Sequence, residues 1–183
     1  MQCIQTPLPG VLIIEPRVFT DQRGFFLETF QDQKYRDLGI AKSFVQDNHS
    51  HSSYGVLRGM HYQLRYPQGK LVYAVSGDIF DVVIDIRKGS ESFGQWFGCT
   101  LSCENRRQLY VPEGYAHGFC VLSRQADVIY KCTELYHPED EFGLIWSDPQ
   151  VGVQWPIENP TLSEKDNRYP ALNQIPDEQI PCY

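Results

Sequence analysis

The sequence predicts an all-β fold of the jelly-roll, sandwich or barrel kind, and three observations carry that expectation. Short runs rich in Val, Ile, Phe and Tyr recur along the chain at similar spacing. The 14 glycines and 12 prolines fall between those runs as turn punctuation. Only one segment reads as a helix, so helices should be few, short and peripheral. Many short strands joined by Gly/Pro turns bury their apolar faces by packing sheet on sheet or by closing on themselves.

Taken in order, "VLIIE" (11–15) and "GFFLETF" (24–30) read as strands. "QDQKYRDLG" (31–39) is the helix, with Gly39 where a C-terminal capping residue belongs. "KLVYAV" (70–75), the turn "SGD" (76–78) and "IFDVVIDIR" (79–87) read as a hairpin. In its second strand Phe80, Val82, Ile84 and Ile86 share one face. Ile79, Asp81, Val83, Asp85 and Arg87 share the other, more polar one, so the two faces should meet different surroundings. "QWFGCTLS", "RQLYV", "GFCVL" and "DVIYKCT" continue the series. From "WSDPQVGVQWP" onward the chain is turn-rich and should wrap the outside. With no repeat, low-complexity tract or linker, a single domain spanning 1–183 is expected.

Composition removes several classes of function. Lys plus Arg is 16 against 23 for Asp plus Glu, a net charge of -7, and no basic run is present. Nucleic acid is therefore not an expected partner, although a local pocket for a small anion is compatible with that balance. No apolar run approaches the roughly 20 residues of a membrane span, so no membrane is expected. "MQCIQTPLPG" has neither the basic start nor the apolar core of a signal peptide. Six cysteines without a C-x-x-C pair suit reduced thiols in a cytoplasmic protein.

The segment "GVLRGMHYQ" (55–63) is the richest in chemistry. Gly55, five residues and then His61 resemble the first half of the cupin signature, with Gly77 as its closing glycine. Gln63 stands at the second ligand position, and Pro67 or Gln68 at the glutamate position. "PEGYAHGFCV" resembles the second half through Pro112, Gly114 and His117, but Val121 replaces its asparagine. The turns of a cupin-type jelly roll (a double-stranded β-helix) are kept while half of the ligands are replaced. A transition-metal site needs about three good protein ligands, so no metal and no cofactor is expected. A neutral imidazole without a metal is a good base near neutral pH. Alone, His61 would read as a hydrogen-bonded core histidine and Lys70 as a solvated one. With Arg58 beside them they point to an anionic substrate and proton transfer.

Several segments together resemble the dTDP-4-dehydrorhamnose 3,5-epimerases of dTDP-L-rhamnose synthesis. They are "FTDQRGFFLETF", "FVQDNHS", "GVLRGMHYQ", "QGKLV", "FDVVIDIR", "PEGYAHGF", "YKCTELY" and "LSEKD", in the family's order from about residue 5 to 168. The resemblance implies a metal-free homodimer of cupin-type jelly rolls acting on dTDP-4-keto-6-deoxyglucose. It implies His61 as base, Asp166 as the carboxylate that orients it, Tyr130 as proton donor and Lys70 at the keto oxygen. It implies substrate contacts from Gln46, Asp47, Asn48, Arg58, His117, Glu141 and Lys165, with Tyr136 stacked on thymine. Arg23 and Glu28 would reach the partner subunit's site. Read from the residues alone, Asp81 and Asp85 rival Asp166 as partner of His61. Tyr73, Phe142, Gly143 and Cys120 depart from the family pattern, and none is expected to touch the base, acid or lysine. Three other functions stay open: a mono-epimerase or ketoisomerase on a related sugar, a metal-dependent cupin oxygenase, and a non-catalytic sugar-nucleotide-binding module.

Overall fold

The structure is a computed structural model, and it describes residues 1–182. The strands are β1 (Gln2–Gln5), β2 (Leu12–Glu15), β3 (Val18–Asp21), β4 (Gly24–Leu27), β5 (Gln46–Ser53), β6 (Leu57–Gln63) and β7 (Lys70–Ser76). They continue with β8 (Asp78–Asp85), β9 (Trp96–Ser102), β10 (Gln108–Val111), β11 (Tyr115–Val121), β12 (Gln125–Cys132) and β13 (Glu141–Gly143). A short helix, α1 (Asp32–Asp37), lies between β4 and β5. It ends at Leu38 and Gly39, whose φ of +95° only glycine adopts readily.

Two sheets form a jelly roll, one of the architectures the strand pattern leaves open and the one that the resemblance to the cupin signature implies. One runs β1-β2-β10-β7-β12-β5 and the other β13-β6-β11-β8-β9; β3 and β4 pair only with each other. Between the sheets lie Val72, Val128, Ile79, Val83, Leu101 and Phe119. Period-two alternation places the opposite residues of each strand outward, where two further clusters cover them. Leu12, Ile14, Leu71 and Tyr110 pack under Tyr35 of α1 and Ile40. Met60, Tyr62, Val82, Ile84 and Ile86 pack under Val151, Leu172 and Ile175 of the C-terminal segment. That segment wraps the outside as its turn-rich sequence predicts. Each buried aliphatic side chain contributes on the order of 1.5–3 kcal/mol, and the three clusters together drive the layering.

One expectation fails. The 70–87 stretch is not a hairpin: β7 joins β10 and β12, whereas β8 joins β11 and β9 in the other sheet. The turn at Gly77 (φ +71°) is pressed against the Ser123–Ala126 turn, where a side chain would strike Gln125 O and Ser123 Oγ. The Asp78 N–H donates to Ser123 Oγ at 2.9 Å, so the corner is tied to that turn and the chain crosses between layers. The more polar face of β8 is correspondingly not solvated. Asp81 and Asp85 are fully buried.

Candidate active site

A cavity of about 500 Å³ opens between the two sheets. Strand alternation aims Gln46, Asn48 and Ser50 of β5, Lys70 of β7 and Tyr130 of β12 into it from one sheet. Arg58 and His61 of β6, His117 of β11 and Glu141 of β13 enter from the other. Asp166 and Lys165 arrive on the 3₁₀ turn at 166–168 and its preceding residue. The backbone register sets these side chains against one another. His61 lies directly across from His117 on one side and from Gly143 on the other. Lys70 pairs with Cys132, and Tyr130 sits between Val72 and Asn48.

The close fit of β6 and β11 depends on a glycine. Gly59 has φ +125°, and a methyl group there would lie 2.6 Å from Gly118 Cα and 2.8 Å from His117 O. This contact falls at the bulge between His117 and Phe119, next to both histidines.

His61 Nε2 is 2.6 Å from Asp166 Oδ1. Burial pushes the Asp166 carboxyl up, but the His61 ring and the Gly59 N–H outweigh it and hold the group below the usual carboxylate range. Asp166 is therefore the acceptor and His61 Nε2 carries the proton. In the neutral ring the lone pair is then on His61 Nδ1, and Glu141 Oε1 lies 3.8 Å from it. Asp81 and Asp85, the rivals for the Asp166 role, are engaged elsewhere. Asp81 accepts from His117 Nε2 at 2.9 and 3.1 Å, and Asp85 is held by Arg87, Ser90 and Ser92.

The Lys70 ammonium makes no hydrogen bond or ion pair among the described residues. Burial depresses its pKa, while Cys132, Glu141 and Asp81 act in the opposite direction. Tyr130 is the complement: burial foremost, then Cys132, raises its pKa, so the phenol keeps its proton. Arg58 uses Nε on Ser52 Oγ at 3.0 Å, which leaves the rest of its fork for an anion. Tyr136 donates its hydroxyl to Glu141 Oε2 at 2.7 Å, and Lys165 Nζ reaches the same oxygen at 2.7 Å.

Three expected site residues lie off this cavity. Asp47 is on the opposite face of β5 from Gln46 and Asn48, paired with Lys131 at 2.9 Å. Arg23, at the β3–β4 turn, is exposed and paired with Asp21 at 2.6 Å. Glu28 is paired with Lys34 at 2.6 Å. The expectation that no departure touches the base is corrected by Gly143. It faces His61 across the β6–β13 ladder, and a side chain there would meet the Tyr169 ring at 2.6 Å. Tyr169 stands edge-on to His61, with ring centroids 5.8 Å apart. No motif points to Tyr169 or to the Asp81–His117 pair, because each becomes a neighbour only through the fold. Among the described residues no group of three or more His, Cys, Asp or Glu is placed to hold a metal ion.

A family profile described as dTDP-4-dehydrorhamnose 3,5-epimerase matches residues 5–174. The chain belongs to the dTDP-4-dehydrorhamnose 3,5-epimerase family. It is 54% identical to the enzyme of that name from Shigella flexneri, over 91% of this chain and 93% of that one. It is 56% identical to the one from Neisseria gonorrhoeae over 91% of its own length, and spans 51% of that longer protein. Among solved structures, the dTDP-6-deoxy-D-glucose-3,5-epimerase from Legionella pneumophila Philadelphia 1, in complex with dTDP-4-keto-L-rhamnose, superposes with a TM-score of 0.97. The two are 52% identical, and the match covers 100% of this chain and 98% of that one. The family is one of isomerases, and the chain shares the overall fold of that solved enzyme.

Proposed function

We propose that this cavity binds dTDP-4-dehydro-6-deoxy-D-glucose and inverts carbons 3 and 5 to give dTDP-4-dehydro-L-rhamnose. The observation that carries the reading is the His61–Asp166 pair facing a protonated Tyr130 and a Lys70 without a partner among the described residues, across one cavity. A ketone at carbon 4 acidifies the hydrogens on carbons 3 and 5. His61 Nδ1 takes one of them, and the C–H electrons move into an enolate whose oxygen lies against the Lys70 ammonium. Asp166 holds the imidazolium, as a carboxylate does in hydrolase triads. Tyr130 returns a proton to the opposite face of the same carbon. The phenolate is then reprotonated at the expense of the imidazolium, so no proton is gained or lost overall. The cycle repeats at the second carbon. Such chemistry needs a base, an acid and a cation, all supplied by side chains, and no metal or cofactor.

Arg58 suits the pyrophosphate, Tyr136 the thymine ring, and Gln46, Asn48, His117, Glu141 and Lys165 the remaining polar groups of the substrate. The whole chain acts as one domain within a homodimer. Support for the dimer comes from the β3–β4 hairpin, which exposes Phe19, Phe25 and Phe26 by 50%, 57% and 68%. Arg23 at the tip of that hairpin and Glu28 just after it would then complete the partner's cavity. Six free thiols suit the reducing cytoplasm.

The test is NMR of the protein with dTDP-4-keto-6-deoxyglucose in heavy water containing a chelator. Deuterium at both carbons flanking the ketone is the expected result. Deuterium at one carbon would move the assignment to a mono-epimerase, and no exchange would remove this substrate.

A further inference from the structure

His61 lies between two carboxylates, and only one of them is bonded to it. Asp166 Oδ1 accepts a hydrogen bond from His61 Nε2 at 2.6 Å, whereas Glu141 Oε1 stands 3.8 Å from Nδ1 without a hydrogen bond. The distance is what the tautomer requires. With the proton on Nε2, a lone pair on Nδ1 faces a carboxylate oxygen, and two acceptors do not bond. Once Nδ1 has taken a proton from substrate, the same oxygen faces an N–H bearing positive charge. The interaction is then attractive and shortens. It is absent in the resting enzyme and present after proton transfer, which is the condition for raising rate rather than affinity.

Glu141 is itself held from the far side. Its Oε2 accepts the Tyr136 hydroxyl and the Lys165 ammonium, each at 2.7 Å. Burial raises the Glu141 pKa, but Lys165, Tyr136 and His61 more than offset it, so the group stays a carboxylate. Tyr169, Tyr130 and Lys70 also feel its charge. Tyr136 is the ring read above as stacking on thymine, so one residue touches both the nucleotide and the carboxylate beside the base.

We propose that Glu141 is a positioning residue that sets the proton affinity of His61, and that Tyr136 and Lys165 hold it in place, tying the nucleotide clamp to the base. This rests on the reading of His61 as the base. Glu141 supplies a counter-charge for the imidazolium. Tyr136 and Lys165 draw that charge toward Oε2 and so temper its pull on the His61 ring.

The test is ¹⁵N NMR titration of the His61 ring in the free protein, with wild type, Glu141→Gln, Tyr136→Phe and Lys165→Met side by side. Glu141→Gln removes the charge, and the His61 midpoint should fall by about one pH unit. Tyr136→Phe keeps an aromatic ring for stacking but frees the carboxylate, and Lys165→Met removes the competing cation; both midpoints should rise. In the Glu141→Gln enzyme kcat should drop about tenfold, matching the one-unit change, by more than KM rises. The acid limb of its kcat/KM profile should move down with the NMR midpoint. A purely structural or substrate-gripping role predicts no opposed movement of midpoints. A His61 midpoint in Glu141→Gln that stays at the wild-type value or rises would overturn the proposal, as would a fall in Tyr136→Phe. The titration needs no substrate. Failure of the substrate assignment would therefore appear only as absent turnover in wild type.

Discussion

At the scale of single residues, the proposed proton transfer rests on a short segment of chain and a distant partner. His61, Arg58 and Lys70 could be singled out from the sequence because they crowd into 58–70. Asp166 lies 105 residues from His61 and became its partner only through the family resemblance, since Asp81 and Asp85 were equal candidates by residue type. His61→Asn should abolish turnover, a loss of at least ~10² to 10⁴-fold, while dTDP affinity measured by calorimetry stays near wild type. Activity at near wild-type rates would remove His61 from the role of base. Lys70 yields a pH prediction. Burial depresses its pKa, so the ammonium loses its proton as pH rises through a value below the ordinary lysine figure of about 10.4. Activity should fall on the alkaline side over that lower range. Lys70→Arg, which stays charged throughout, should abolish that limb even if its overall rate is lower. An alkaline limb unchanged in Lys70→Arg would assign it to another group, Tyr130 first.

At the scale of elements, periodicity located the strands but not their partners. The 79–87 run was readable as a strand with two unlike faces. Which strands it paired with was decided by Gly77 and its contact with the Ser123–Ala126 turn, and such long-range contacts have no local signature. The end of β8 illustrates the consequence. Asp85 is fully buried and accepts from Arg87 Nε and Nη2 at 2.9 and 2.7 Å and from Ser90 and Ser92 hydroxyls at 2.6 Å. Arg87 in turn donates to the Tyr115 hydroxyl at 2.6 Å and so fastens the 85–92 turn to β11, the strand of His117. Burial raises the Asp85 pKa, but the Arg87 and serine donors prevail and hold it below the ordinary carboxylate value. Because the folded pKa is depressed, the contribution to stability is fully present above the unfolded value of about 3.9 and is lost as pH falls through the lower folded value. Asp85→Asn should cost about 3 kcal/mol in urea unfolding at pH 7, since an amide N–H would then face buried donors. The gap between variant and wild type should close below about pH 4. A gap that persists unchanged in acid would mean that the charge of Asp85 is not what stabilises the turn.

At the scale of the whole molecule, the sheets bring His61, Tyr130 and Lys70 together within one chain, while Arg23 and Glu28 stay outside. The distribution follows from the hairpin. β3 and β4 pair only with each other, and a lone two-stranded ribbon is marginal in water unless something covers it. Three of its phenylalanines are exposed. The strand that carries Gln46 and Asn48, β5, is an edge of its sheet with one row of backbone groups unpaired. In the proposed two-fold dimer each copy would offer both an aromatic ribbon and an open edge beside the cavity, and the two would be complementary. If Arg23 serves the partner's cavity, two defective chains should repair one another. Arg23→Ala and His61→Asn should each be nearly inactive as homodimers. Mixed one to one after dissociation and reassembly, half of the dimers carry one chain of each kind. In these, one cavity has the intact His61 of one chain and the intact Arg23 of the other, and the second cavity has neither. Roughly a quarter of wild-type activity should return on that count. Activity that stays at the sum of the two parents, with mixed dimers confirmed by native mass spectrometry, would place Arg23 in service of its own chain.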